Sequence, residues 1–124
     1  MGVPQWEDAP LISATKTVAE LWKRVGLYKG TVRVGTVYTD TTWDNGAIVT
    51  EGGNKYGKCI GAMVAIVVPA GTLTNGDVIT HYGLLNGTTL SRRKDLPFSV
   101  VVNDASKAVT INVTPEFLMG GQDG

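Results

Sequence analysis

AIVVPAGTLTNGDVITHYGLLNGTTL (residues 65–90) is the stretch that decides the fold. Apolar residues alternate with threonines, and two Asn-Gly pairs, Asn75-Gly76 and Asn86-Gly87, interrupt them. A period of two is the signature of a half-buried strand, and Asn-Gly accepts the positive φ of a tight turn. The stretch therefore reads as strand, turn, strand, with its tightest hairpin at LLNGTT (residues 84–89). Working outward, Val, Ile and Thr dominate from Leu27 onward, with Gly, Asn and Pro at short spacing. This predicts strands over 31–39, 47–50, 58–68, 78–82, 84–91, 98–102 and 109–113. In the first of these, Val32 and Val34 share a face and Gly35 predicts a bulge. No segment leaves room for crossover helices, so the strands pair antiparallel. The expected fold is mainly β: an antiparallel β-sandwich, Ig-like or jelly-roll, or a small barrel.

The N-terminal region carries different signals. Pro4 and Pro10 bracket Trp6, so the first dozen residues read as an extended arm. Thr17-Val18-Ala19-Glu20 has the form of a capping box, and Val18, Leu21, Trp22 and Val25 fall on one helical stripe. Lys23 and Arg24 would close the last turn and Gly26 would stop it. A helix of about eight residues is unstable alone, so its Trp22 face must pack on a sheet or on another chain. The expected division is 1–26 for arm and helix, 27–115 for the β domain and 116–124 for a C-terminal tail.

Composition narrows the class. A chain of 124 residues with 43% apolar content fits one folded domain. Charged residues make up only 18% and the formal net charge is zero, which favours association with other protein surfaces. A neutral chain lacks the basic surface that binds nucleic acid. The longest apolar run, CIGAMVAIVVPAG (residues 59–71), is too short to span a bilayer and reads as a buried strand, so no membrane is expected. The N-terminus MGVPQWEDAP has no basic segment followed by an apolar one, which predicts no secretory leader. A single cysteine, Cys59, excludes an internal disulfide and fits a reducing compartment.

Chemistry-bearing patterns are sparse. Cys59 and His81 are single residues of their kinds; Cys59 lies in an apolar run and His81 beside Tyr82 in a strand, so neither reads as half of a nucleophilic pair. Zinc has too few ligands here. Asp40, Thr42, Asp44 and Glu51 occupy the relative positions 1, 3, 5 and 12 of a calcium loop, but the glycine, Gly46, falls at position 7 and the flanks are strand-like. No phosphate-binding glycine motif occurs. Arg92-Arg93-Lys94 reads as a solvated basic loop after the hairpin. No catalytic residue, cofactor or metal is therefore expected. Trp6 in the arm, Trp22 on the helix and Trp43 in a polar loop are better clues, because tryptophan concentrates in interface centres.

VPAGTLTNGDVI (residues 68–79), GLLNGTT (83–89) and VVNDASKAVTINVT (101–114) together resemble accessory virion proteins of tailed bacteriophages, that is, head decoration (cement) proteins and short capsid fibres. The resemblance covers the central two-thirds of the chain and is one of style, without a diagnostic motif. It implies a structural protein made in the host cytoplasm and resident on the virion, often a trimer, bridging subunits of the major capsid protein or another virion protein. Residues 3–28 are then expected to form the attachment element. Trp6, Trp22, Tyr28 and Trp43, with Arg92 and Arg93, are the expected interface residues. The alternative is a carbohydrate- or peptide-binding β module that stacks ligand on Trp43, Tyr56 and Tyr82.

Overall fold

The computed structural model describes residues 6–120. One helix, α1 (Asp8–Ala19), precedes nine strands: β1 (Arg24–Lys29), β2 (Val32–Asp40), β3 (Ala47–Glu51), β4 (Asn54–Ile60), β5 (Val64–Val68), β6 (Val78–Asn86), β7 (Thr89–Val101), β8 (Val109–Val113) and β9 (Glu116–Gly120). Every strand pairing is antiparallel, and the architecture is mainly β and sandwich-like. Among the described residues no sheet closes into a barrel; the three sheets have orders β2-β1-β6-β7, β3-β4-β9 and β5-β8.

The chain forms two compact units that interleave in sequence. The first comprises Met1–Leu21, Thr42–Ala62 and Thr114–Gly124, the second Trp22–Thr41 and Met63–Val113. These bounds differ from the expected division at 26 and 115, and the difference lies in four segments. Residues 8–12 are helix rather than arm, because Pro10 sits in the first turn, where its missing N–H has no helical partner to lose. Residues 1–5 of the expected arm lie outside the described residues, and Trp6 and Glu7 stand exposed before the helix. The helix ends at Ala19, and Val25, expected on its stripe, belongs to β1 with its neighbours Gly26, Leu27 and Tyr28, all buried. The strand expected over 58–68 is two strands, parted at Gly61, which bridges Trp43 and donates to the Pro115 carbonyl (2.8 Å). Residues 116–120 are strand β9 rather than tail, paired with β4 in the register Cys59–Phe117.

In the first unit α1 lies on β4. Leu11, Thr15 and Ala19, spaced by four, are its buried stripe. They reach the sheet because β4 has a glycine beneath them: a Cβ on Gly57 would occupy the place of the Thr15 hydroxyl and come within 3.3 Å of the Leu11 carbonyl. That hydroxyl is satisfied by the Leu11 carbonyl at 2.7 Å, one turn back. Trp43, Cys59 and Phe117 complete this core.

In the second unit β1 is central, paired to β2 on one side and β6 on the other. Val25, Leu27, Tyr82 and Leu84 are cross-strand neighbours on one face and are buried. The β5-β8 ribbon alternates, with Val64, Ile66, Val68, Ile111 and Val113 buried and Ala65, Val67 and Thr110 exposed. It runs beside β2, where the Thr39 hydroxyl donates to the Ala65 carbonyl at 3.0 Å. The hairpin at 84–89 forms as expected, with Asn86 paired to Thr89. The bulge expected at Gly35 is also present. Between the pairs Gly26–Tyr38 and Tyr28–Arg33 one residue of β1, Leu27, faces residues 34–37 of β2, and Gly35 takes φ +52° there.

Candidate association surface

The edge strand β7 carries the most unusual surface of the second unit. Past a one-residue shift at Ser91, residues 92–95 are in step and charged: Arg92, Arg93, Lys94 and Asp95 pair with Leu84, Gly83, Tyr82 and His81. Arg92-Arg93-Lys94 is thus a strand segment, not a loop. Asp95 accepts from His81 Nε2 at 2.6 Å. Thr80 Oγ1 stands 2.6 Å from His81 Nδ1 and accepts the Gly30 N–H at 2.8 Å. Both ring nitrogens of His81 are thus engaged, Nε2 by Asp95 on the neighbouring strand and Nδ1 by Thr80. The histidine is held as a cross-strand pin between two strands.

Immediately after this pin the strand breaks step. Between the pairs His81–Asp95 and Ile79–Val100, Thr80 alone faces residues 96–99, Leu-Pro-Phe-Ser. Pro97 cannot donate to a ladder, so it is accommodated only at an edge or a bulge, and here it has both. The bulge lifts Phe98 into solvent: its side chain is 84% exposed, the most exposed large apolar residue described. Beside it lies a groove of about 350 Å³, walled by Leu96, Pro97, Phe98 and Val100 from β7 and by Thr110, Ile111 and Asn112 from β8. None of these seven residues carries a charge. Val101 (53% exposed) and Val78 (37%), paired across the strands next to the Ile79–Val100 pair, lie on the other face of the sheet from Val100. The far end is anchored by Asp77, whose carbonyl accepts the Val102 N–H at 2.8 Å. Its carboxyl is held below the usual carboxylate range by the Thr74 N–H at 2.8 Å and by Lys29 at 3.2 Å.

The residues expected at an interface are distributed otherwise. Trp6 is exposed (45%) and Trp22 half-buried. Trp43 is not a solvent-facing loop residue; it is buried, edge-on to Phe117 with ring centroids 6.3 Å apart. Tyr28 is buried too, its ring lying over Gly83, where a Cβ would clash with it. Arg93 stands over the Tyr28 ring at 6.0 Å and donates to the Gly30 carbonyl, so these two do come together, as structural partners. Arg92 is exposed. The segment 3–28, expected as an attachment element, contains α1 and most of the central strand β1. Of the rings named for ligand stacking, Trp43 and Tyr82 are buried and offer no face. Phe98 itself was missed; its signal was LPFSVV (residues 96–101), a charge-free run with a proline inside it following four charged residues.

Other candidates resolve into structure. Asp40 ends β2 beside Arg24 (3.8 Å), Asp44 accepts from the Gly46 and Ile60 amides, and Glu51 lies in β3, so residues 40–51 do not form one calcium loop. No group of three or more His, Cys, Asp or Glu side chains suited to a metal occurs among the described residues. Burial, and secondarily the Asp44 charge, push the Cys59 thiol up from its ordinary value. Among the described residues no helix is long and apolar enough to cross a membrane. No protein-family model, no curated protein and no solved structure matches this chain.

Proposed function

We propose that this chain is a structural protein that works through protein–protein association, in the manner of an accessory virion protein that decorates or cements a capsid. The observation that carries this reading is Phe98, 84% exposed on a proline-supported bulge beside a charge-free groove. An exposed aromatic next to an apolar recess marks a protein contact, because soluble surfaces otherwise keep such patches small. The scaffold suits the role: strands pinned by side-chain hydrogen bonds hold the surface rigid, so little order is lost on contact. Zero net charge and 18% charged residues favour a surface that is easily desolvated.

The test is sedimentation of the purified chain with empty shells of the major capsid protein encoded in the same genome. Co-sedimentation at a fixed ratio per capsid subunit supports the virion reading. A chain that stays at the top of the gradient at saturating concentration overturns it.

A further inference from the structure

We infer that the Phe98 knob and its adjoining groove are a self-complementary contact at which a second copy of this chain docks. The inference rests on the reading of the protein as one that works by association, and it names the partner. Knob and recess lie side by side on one surface, with Phe98 forming a wall of the groove it adjoins. Two copies related by a two-fold axis beside Phe98 each place a ring in the other's groove, the arrangement an isologous interface requires.

Charge allows the same occupant. Residues 96–101 and 108–114 carry no charge, and the chain as a whole is neutral, so two identical copies approach without repulsion. A charged partner would find nothing here to pair with. Backbone geometry decides the mode of contact. The bulge and Pro97 spoil the hydrogen-bonding edge over residues 96–99, so the contact is made by side chains rather than by strand addition. Arg92, Arg93 and Lys94 guard the in-step segment of β7, the usual device against open-ended strand pairing. What remains is a contact that closes on itself.

The area sets the strength. Two reciprocally buried phenylalanines remove on the order of 300–500 Å² of apolar surface, and specific interfaces begin near ~1,200 Å² in total. With the groove walls added, the contact belongs at the small end, so the pairing is reversible and dependent on concentration.

The test is sedimentation equilibrium of the full chain, pure and without shells, at concentrations from about 5 to about 200 µM, the range in which a small interface populates both species. The expected result is a mass that rises from 13.1 kDa toward twice that value. Phe98→Ser, which removes the knob, and Thr110→Arg, which fills the groove from an exposed position, should each stay monomeric with an unchanged far-ultraviolet spectrum. A mixture of the two restores one of the two ring-in-groove contacts and should associate more strongly than either variant alone. A wild type that remains at 13.1 kDa throughout, or a Phe98→Ser chain that associates as the wild type does, overturns the inference. If Phe98→Ser failed to fold, Thr110→Arg alone would decide it. Because no shell is present, failure here is separate from failure of the virion reading.

Discussion

The chain has two phenylalanines, and they have opposite fates. Phe117 is 7% exposed, and Phe98 is 84% exposed. Both follow a proline closely: Pro115-Glu116-Phe117 in the first unit, Pro97-Phe98 in the second. The difference lies in where the proline falls. Pro115 precedes β9, so the strand begins after it, pairs in step with β4 and delivers Phe117 opposite Cys59 and edge-on to Trp43. Pro97 falls inside β7, where the ladder cannot absorb it; the strand bulges and Phe98 is turned out. One local rule therefore yields a core residue in one place and a contact residue in the other.

The comparison breaks most sharply at the buried ring. Phe117→Ala should cost about 3–5 kcal/mol, the range for truncating a buried aromatic, and should lower the urea midpoint accordingly. Quenching of tryptophan emission by iodide should increase, because Trp43 loses its edge contact. The next largest effect is expected at Gly57→Ala. Its new methyl group must displace the Thr15 hydroxyl, and overpacking of this kind costs about 1–3 kcal/mol. Thr15→Ala in the same chain should recover part of that loss, so the double-mutant cycle should show a favourable coupling between the two sites. An additive pair would show that α1 does not rest on β4 in the way described.

The fold was legible where the period-two pattern and the turn residues agreed. The hairpin at 84–89, strand 109–113 and the Gly35 bulge all follow from residue type at close range. What misled were residues whose meaning depends on position within an element. Pro10 reads as a breaker in sequence but is a first-turn residue, and Val25 fits a helical stripe but belongs to a strand buried on both faces. The predicted strand 58–68 is without charge from Cys59 onward, so hydropathy does not mark the point where it passes from one unit to the other. The site was less legible than the fold. Tryptophan and arginine content pointed to Trp43, Tyr28 and Arg93, which serve packing, because composition cannot separate a ring that fills a core from one that faces outward. Phe98 could have been found only by asking what a proline does to an edge strand.

A smaller effect is expected in acid, and it belongs to the Phe98 side of the comparison. The Asp77 carboxyl, at the end of the turn that leads into β6, has a folded-state pKa below its unfolded value. Its contribution is present above the unfolded value and is lost as pH falls through the folded one. The urea midpoint should drop between neutral pH and about pH 3. Asp77→Asn should start lower at neutral pH and drop less. An identical drop in both chains would remove Asp77 from the account of how that end of β6 and β7 is held.

The smallest expected effect is at the exposed ring, and it is the most informative. In dilute solution Phe98→Ala should change the folding free energy by no more than about 0.5 kcal/mol, because little contact is lost when a solvated side chain is truncated. A cost approaching that of Phe117→Ala would mean that Phe98 is covered within its own chain, and the contrast between the two rings would collapse. Concentration separates a ring that merely faces solvent from one that binds. If a second copy covers Phe98, association stabilises the folded wild type by mass action, and its Tm should rise as the protein is concentrated. The Phe98→Ala chain has nothing to cover, so its Tm should stay flat over the same range. Two flat curves would leave Phe98 exposed but idle, and the bulge would then serve only to blunt the edge of the sheet.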